Sequence, residues 1–323
     1  MRDALDRRID YMRVSITDRC NLRCKYCMPE DLPGISHNDI LRYEEILRLC
    51  AIFARMGIEN IKVTGGEPLV RKGCVGFIRE LKEIPGIKHV TMTTNAVLLE
   101  PYVEALAQLK PDGINVSLDS LNPDIYRQIT GRDELNKALR SLNAAIGAGL
   151  HVKINCVPIE GLNDNEILPI TKLAETSLVD VRFIELMPSD AGGGYKGVSG
   201  RKILTLLSSE YPDLEPDLTR HGFGPARYFR SCRLNGMIGL IDAVSNHFCS
   251  NCNRLRLTSE GYLKLCLFHD IGLDLRTMLR SNARDSDIEA AIENAVYSKP
   301  ERHMIDSRAD PDSGIKKMSQ IGG

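Results

Sequence analysis

The chain has 323 residues, of which 43% are hydrophobic, and a formal net charge of −1 at pH 7. This composition excludes a disordered chain, and the length is enough for a barrel with a smaller appended region. The near-zero charge argues against nucleic acid as a partner, so an anion must be bound by local clusters of Arg and Lys. The sequence lacks both a run of about 18 uncharged apolar residues and a secretory leader. We therefore expect a cytoplasmic protein with no membrane partner.

Short apolar runs rich in β-branched residues alternate with amphipathic segments through the first part of the chain. The predicted strands are Met12–Thr17, Asn60–Thr64, His89–Thr94, Gly113–Leu118, Val152–Val157 and Val181–Leu186. The predicted helices are Tyr43–Met56, which should stop at Gly57, Val75–Lys82, Tyr102–Leu109, Leu135–Ala148 and Glu166–Ser177. Six alternations predict an α/β fold with parallel strands, as either an incomplete barrel or an open doubly wound sheet.

The pattern changes after about residue 187, where the glycine-rich segment Ser189–Gly200 predicts a loop. Turn signals at Asn235-Gly236 and Glu260-Gly261 then separate four short runs that predict antiparallel strands. These strands are Ala226–Cys232, Met237–Ala243, Arg254–Leu257 and Tyr262–Leu267. The sequence therefore predicts a barrel over residues 1–224 and a C-terminal region over residues 225–323.

Six of the ten cysteines form two groups of three, and the scattered remainder are interpreted as packing residues: Cys50, Cys74, Cys156 and Cys232. Cys20, Cys24 and Cys27, the first cysteine set, directly follow the first strand. Three thiolates suit an iron–sulfur cluster, in which one of four irons would stay open for a ligand. A structural zinc site needs a fourth ligand, and the nearest candidate, His37, is ten residues further on.

Cys249, Cys252 and Cys266 form the second cysteine set. His247 and His269 are close in the sequence, so a Cys3His zinc site is the alternative to a second cluster. Such a site would indicate a structural knuckle of the kind that can bind RNA, although the segment has little basic or aromatic character.

Arg254 and Arg256 are two residues apart on a predicted strand, so both should point to the same face, near the second cysteine set. Two guanidinium groups beside a metal with an open position favour an anionic substrate. The alternative is a solvated hairpin face.

The segment RVSITDRCNLRCKYCMPE resembles the signature of radical S-adenosylmethionine (SAM) enzymes, with Tyr26 as the aromatic residue before the third cysteine. Thr64-Gly65-Gly66-Glu67-Pro68 resembles the glycine-rich cofactor loop of that family. In barrels of this kind, functional side chains gather at the C-terminal ends of the strands. Segments at or near such ends are Thr93–Asn95, Ser117–Asp119, Lys153–Asn155 and Arg182–Glu185.

The whole chain from Tyr11 onward resembles the GTP 3′,8-cyclase family, which catalyses the first step of molybdenum cofactor biosynthesis. The most specific matches are the first cysteine set, the block FCSNCNRLRLTSEGYLKLCLF and the terminal Ile321-Gly322-Gly323. The resemblance implies an incomplete (β/α)6 TIM-type barrel with a C-terminal extension containing antiparallel strands. It also implies two [4Fe-4S] clusters, one on each cysteine set, with the second cluster binding the guanine of GTP.

The resemblance further implies the residues that contact each ligand. Those expected to bind SAM are Tyr26, Gly66, Ser117 and Met187. Those expected to bind GTP are Arg13, Lys62, Thr93, Lys153, Arg254, Leu255 and Arg256. Catalytic roles are implied for Arg254, Arg256 and the Gly322-Gly323 tail.

The implied reaction is that of a lyase: a radical derived from SAM removes hydrogen from ribose C3′, and C3′ then attacks guanine C8. The product would be (8S)-3′,8-cyclo-7,8-dihydroguanosine 5′-triphosphate. The implied partners are a cellular electron donor and cyclic pyranopterin monophosphate synthase, which acts downstream; a homodimer is compatible with this interpretation. Two residues depart from the family pattern: Lys62 replaces an Arg found in some relatives, and Ala96 follows Asn95 where Gly is commoner.

Two other functions were weighed against this one. A peptide-modifying radical SAM enzyme with an auxiliary cluster usually has more C-terminal cysteines than the three found here. A zinc-stabilised nucleic-acid-binding protein is disfavoured by the net charge and by the lack of Trp.

Overall fold

The computed structural model describes residues 1–28, 34–187, 194–219 and 221–303. They divide into two compact units. The first contains Met1–Asn21, Cys27–Thr93 and the described residues from Cys249 onward, and the second contains Leu22–Tyr26 and Thr94–Phe248. The predicted catalytic tail, Gly322 and Gly323, lies outside the described residues.

The first unit is built on strands in the order β12–β11–β10–β1–β2–β3. β1 pairs in parallel with both β10 and β2, β2 pairs in parallel with β3, and β10, β11 and β12 are antiparallel. The strands are β1 (Tyr11–Ser15), β2 (Asn60–Thr64), β3 (His89–Thr94), β10 (Arg254–Leu257), β11 (Tyr262–Lys264) and β12 (Gly272–Asp274). The helices are α1 (Tyr43–Arg55), α2 (Cys74–Glu83), α9 (Leu275–Arg280) and α10 (Asp285–Tyr297).

The second unit has the strand order β4–β5–β6–β9–β8–β7, in which β4, β5, β6 and β9 are parallel and β9, β8 and β7 are antiparallel. The strands are β4 (Gly113–Ser117), β5 (Val152–Cys156), β6 (Asp180–Ile184), β7 (Glu215–Asp217), β8 (Arg227–Arg230) and β9 (Ile238–Ile241). The helices are α3 (Val103–Leu109), α4 (Pro123–Thr130), α5 (Leu135–Gly147), α6 (Ile167–Thr171), α7 (Leu173–Thr176) and α8 (Gly200–Glu210).

The six predicted barrel strands are present, each within two residues of its expected ends. Gly57 stops α1 as predicted, with φ +99° and a hydrogen bond from Ile58 N–H to the Phe53 carbonyl. The helix predicted over Glu166–Ser177 is instead two short helices that meet at Lys172. Helices α4, α8, α9 and α10 and the short strands β7 and β12 were not predicted.

The C-terminal strands form the predicted antiparallel hairpins, β8 with β9 and β10 with β11. The prediction was incomplete, however, because β9 also pairs in parallel with β6, and β10 with β1. The two hairpins therefore extend the barrel strands of different units. Within the described ranges, no helix is long and apolar enough to cross a membrane.

Candidate active site

Four cations share one face of three neighbouring strands in the first unit. Arg13 of β1 lies in register with Arg256 of β10 on one side and with Lys62 of β2 on the other. Arg254 is two residues before Arg256 and therefore lies on the same face. Since neighbouring strands are about 4.8 Å apart, these residues form a continuous positive surface. We call this surface, made by Arg13, Lys62, Arg254 and Arg256, the cationic face.

Apolar residues alternate with these cations along each strand, and this alternation explains why the cations share one face. Met12, Val14, Ile61 and Val63 are at most 1% exposed, and alternation places them on the opposite face, in the core. On β3, Thr91 is the register partner of Lys62, so Thr93, two residues further on, shares the cationic side.

The surroundings of Arg256 disfavour its positive charge. Arg256 is only 8% exposed. Burial lowers the pKa of its guanidinium well below the usual value, and the nearby charges of Arg13 and Arg254 lower it further, whereas Cys266 and Cys252 oppose the shift. A surface that collects like charges in a buried place is suited to an anionic ligand, which would relieve their repulsion.

Arg254 is oriented by an aromatic ring. Its guanidinium carbon lies 5.4 Å from the centroid of the Tyr11 ring, and Tyr11 is its register partner on β1. Such a cation–π contact fixes the planar group on the face of the sheet.

The second cysteine set meets the cationic face. Burial alone would raise the pKa of the Cys252 thiol, but Lys299, the backbone N–H and charge of Arg254, and Arg7 together lower it below its ordinary value. A lowered pKa favours the thiolate, which is the form that ligates iron. The donor chemistry of this segment therefore fits an iron–sulfur cluster.

The packing cysteines behave differently. Cys50, Cys74 and Cys156 are buried, and burial raises the pKa of Cys50 and Cys74 to about 12. Their predicted role is confirmed, but Cys232 is exposed, so that prediction was wrong for it. None of the ten cysteines is in a disulfide, and the described part of the chain contains no ready-made group of three His, Cys, Asp or Glu metal ligands.

The middle of the first cysteine set is anchored within the second unit. Backbone N–H groups of Arg23 and Lys25 donate to the carbonyls of Thr130 and Ile129 at the end of α4. These bonds hold the segment around Cys24, and the donors of the set, all half-buried thiols, fit a cluster with access to a ligand.

Tyr26 is held by Asp119, just beyond β4. The Tyr26 hydroxyl donates to Asp119 Oδ2 at 2.6 Å, while Val157 N–H donates to Oδ1 at 2.8 Å. Burial raises the pKa of Asp119 to about 6, although both hydrogen bonds oppose the shift. The structure therefore assigns Asp119, noted in the sequence only as a strand-end residue, to the orientation of Tyr26.

The glycine-rich loop packs against the segment before the first cysteine set. Gly66 N–H donates to Thr17 O at 2.7 Å, and Glu67 N–H donates to Arg19 O at 2.8 Å. A Cβ on Gly66 would lie 2.4 Å from Arg19 O, and one on Gly65 would lie 2.8 Å from Thr17 O. Both positions therefore need glycine so that the two backbones can approach closely.

The second unit carries a polar face on β4, β5 and β6. The Arg182 guanidinium donates to Asn155 Oδ1 at 2.9 Å and to Asn115 Oδ1 at 2.5 Å. Ser117 lies in register with Asn155, whereas Met187 is half-buried beyond the end of β6. Arg182, at 8% exposure, was noted in the sequence only within a strand-end segment, because both of its partners lie on other strands.

Lys153 shares this face but already has an acidic partner. Its Nζ lies 2.7 Å from Asp180 Oδ2 and 3.2 Å from the Tyr228 hydroxyl. Its side chain is largely buried. Asp180 therefore balances much of the positive charge of Lys153.

Comparison with known proteins agrees with these features. The family model described as "Radical SAM superfamily" matches residues 14–174, and the model "Molybdenum Cofactor Synthesis C" matches residues 179–305. The crystal structure of Streptococcus suis SuiB bound to S-adenosylmethionine has a TM-score of 0.65 and 15% identity, covering 88% of this chain and 68% of that one. This likeness shows the fold, and it confirms the predicted α/β class and partial-barrel architecture. The chain is a member of the radical SAM superfamily.

The sequence relatives define the family more narrowly. The GTP 3′,8-cyclase of Moorella thermoacetica is 44% identical over 330 residues, and that of Clostridium perfringens (strain SM101 / Type A) is 40% identical over 324 residues; both chains are covered fully. The GTP 3′,8-cyclase of Heliobacterium modesticaldum is 43% identical over the full length of both chains. The chain belongs to the GTP 3′,8-cyclase family, which confirms the resemblance in the sequence and leaves the peptide-modifying alternative unsupported.

Proposed function

We propose that this chain binds GTP against the cationic face and converts it to (8S)-3′,8-cyclo-7,8-dihydroguanosine 5′-triphosphate, acting as a lyase in molybdenum cofactor biosynthesis. One observation carries this proposal: Arg13, Lys62 and Arg256 lie in register on adjacent strands, beside Cys252 and Cys266. A triphosphate supplies the several negative charges that such a surface accommodates. A purine ring attached to it could reach a metal held by the neighbouring cysteines.

The proposal includes a [4Fe-4S] cluster on each cysteine set and SAM at the first. When bound, these groups supply the one-electron chemistry of the reaction, which protein side chains cannot. The chain's own residues bind, orient and exclude water. Within the first unit, the bonds of Gly66 and Glu67 to the backbone before Cys20 fix the glycine loop against which SAM is proposed to lie.

The remaining site residues have corresponding roles in this proposal. Arg13, Lys62 and Thr93, with Arg254–Arg256, hold the nucleotide, and Lys153 contributes a partly balanced charge. Tyr26, Gly66, Ser117 and Met187 contact SAM, with Tyr26 oriented by Asp119. The proposal also gives Gly322 and Gly323 a catalytic role, and this part of it rests on the resemblance alone.

The partners follow from the reaction. GTP is the substrate, and a one-electron donor must reduce the clusters. The product is a cyclised nucleoside triphosphate that a second enzyme, cyclic pyranopterin monophosphate synthase, would consume.

An anaerobic assay with GTP, SAM and a strong reductant tests the proposal directly. We expect 5′-deoxyadenosine and a cyclised guanosine nucleotide in equal amounts, measured by chromatography and mass spectrometry. Deoxyadenosine that formed at the same rate without GTP, with no cyclised nucleotide, would contradict the substrate. Lys62→Met should weaken GTP binding. Lys88→Met is the matched control, since Lys88 is exposed and paired with Glu59.

The second cluster has its own test. Cys249→Ala should leave the iron of the first cysteine set in place but abolish cyclisation. Wild type should hold about eight irons per chain, as two four-iron clusters require. Cyclisation that persisted in Cys249→Ala would contradict the role of the second cysteine set.

A further inference from the structure

Arg7, near the N-terminus, is buried beside the second cysteine set. Its guanidinium bonds to Asp3 Oδ2 at 2.6 Å, and both side chains are at most 6% exposed. The same guanidinium donates to the carbonyl of Cys249 at 2.9 Å. It therefore fixes the backbone at the first cysteine of the set.

Arg7 also holds the chain that follows α10. It donates to the carbonyls of Pro300 at 2.7 Å and Glu301 at 2.8 Å. One planar group thus joins the N-terminal segment, the cysteine segment and the end of the last helix.

Lys299 bonds to the backbone beside the other two cysteines of the second set, and we call the three backbone segments that carry these cysteines its arms. It is 5% exposed. Its Nζ donates to the carbonyl of Arg254 at 3.0 Å and to the carbonyl of Leu265. Arg254 is two residues after Cys252, and Leu265 directly precedes Cys266. A buried cation therefore bonds to the backbone at Cys249 itself and within two residues of Cys252 and Cys266.

These two cations differ in how their charge is balanced. Asp3 balances Arg7, whereas Lys299 donates to neutral carbonyl oxygens. A buried positive charge is poorly screened and favours the more negative, reduced state of a nearby thiolate-ligated cluster. Lys299 therefore offers both a mechanical and an electrostatic effect on whatever the cysteines bind.

We propose that Arg7 and Lys299 are positioning residues that hold the three arms of the second cysteine set and keep the reduction potential of its cluster high. This inference rests on the proposed second cluster. The clamp, as we call the pair Arg7 and Lys299, makes the N-terminal ten residues and the end of α10 part of the metal site. Neither segment contains a cysteine.

The test uses the full-length chain in which Cys20, Cys24 and Cys27 are replaced by Ala, so that iron bound is iron on the second set. Iron and sulfide content and the midpoint potential are measured anaerobically by redox titration with electron paramagnetic resonance. Lys299→Met should bind less iron, and the cluster that remains should have a more negative potential. Lys299→Arg keeps the charge and should restore both values. Arg7→Met should also lower iron content.

Lys88→Met serves as the control, because Lys88 lies in the same unit, is exposed and pairs with Glu59. If Lys299→Met and Arg7→Met both match the background chain in iron content and in potential, the clamp is refuted. If the background chain itself binds no iron, the proposal of a cluster on the second cysteine set is refuted, and the clamp is refuted with it. Circular dichroism checks the fold, and Lys299→Gln replaces Lys299→Met if the latter does not fold, with the same criterion.

Discussion

Replacement of Arg256 by Met should stabilise the ligand-free chain and weaken its binding of GTP. The pKa of Arg256 is lowered by burial and by Arg13 and Arg254, so its charge is less favourable in the folded state than in the unfolded one. A guanidinium stays charged in proteins at neutral pH, so its burial without full compensation subtracts from the free energy of unfolding. Met fills a similar volume without a charge to desolvate.

The magnitude follows from the register. Arg13 and Arg256 are opposite each other on strands about 4.8 Å apart. Two unit charges held at about the strand spacing would repel by about 3 kcal/mol at an effective dielectric constant of about 20, and this is an upper bound because the long side chains let the two charges separate further. Cys252 and Cys266 offset part of this repulsion, so we expect the free energy of unfolding to rise by about 1–2 kcal/mol. A charge-assisted bond to phosphate contributes about 1.5–3 kcal/mol, so its loss should raise the Kd for GTP about 10- to 150-fold.

Urea denaturation with and without GTP measures the first effect, and anaerobic calorimetry measures the Kd. Arg182→Met is the matched control, because Arg182 is equally buried and donates to Asn115 and Asn155. Its loss leaves two amide oxygens without their donor and should destabilise the chain by about 2–3 kcal/mol. If Arg256→Met destabilised the chain as much as Arg182→Met does, with an unchanged Kd for GTP, the reasoning about the cationic face would be refuted.

Three further predictions concern the backbone and a buried acid. Ala96 is fully buried at φ +63°, so Ala96→Gly should raise the melting temperature by relieving about 1 kcal/mol of backbone strain. The control, Ala145→Gly inside α5, should lower the melting temperature. Equal effects of the two substitutions would count against strain at Ala96. Gly66→Ala should suppress SAM-dependent deoxyadenosine formation, because the new Cβ would collide with Arg19 O. The control, Gly147→Ala, should keep full activity, because a Cβ there meets nothing within 4 Å. Full activity of Gly66→Ala would argue against the close approach of the two backbones. The pKa of Asp119 is raised to about 6, so its ionisation lowers the free energy of unfolding of the wild type as pH rises from about 4 to 6. In urea denaturation, Asp119→Asn should therefore become more stable relative to the wild type over that range. The difference should reach at most about 3 kcal/mol and then level off. An advantage that did not change with pH would show that the cause is not ionisation.

The sequence predicted what depends on local pattern. The barrel strands and the helices α1, α2, α3 and α5 have regular apolar periods, so their positions were found to within two residues. Helix α4 was missed, although Asn122 caps it by accepting hydrogen bonds from the N–H groups of Asp124 and Ile125.

What the sequence missed depends on pairing between distant strands. The register of Arg13 with Arg256 needs β10 beside β1, and no local signal encodes that neighbourhood. The same holds for Arg182, whose role emerges only once β4 and β5 supply its partners. Ala96 stands where Gly is commoner in the family, yet the chain keeps a left-handed residue there. The Thr94 hydroxyl accepts from Ala96 N–H, and Asn95 Oδ1 accepts from Val97 N–H.

The pairing of β1 with β10 has a consequence for synthesis of the protein. Tyr11 leaves the ribosome early, but its edge partner Arg254 and the rest of β10, to Leu257, come late. At about 5–20 residues per second, β1 waits on the order of ten seconds or more with one row of backbone donors and acceptors unpaired. A truncated chain that ended before β10 would keep this edge open permanently. Premature termination in the C-terminal region should therefore yield insoluble protein rather than an independently folded barrel.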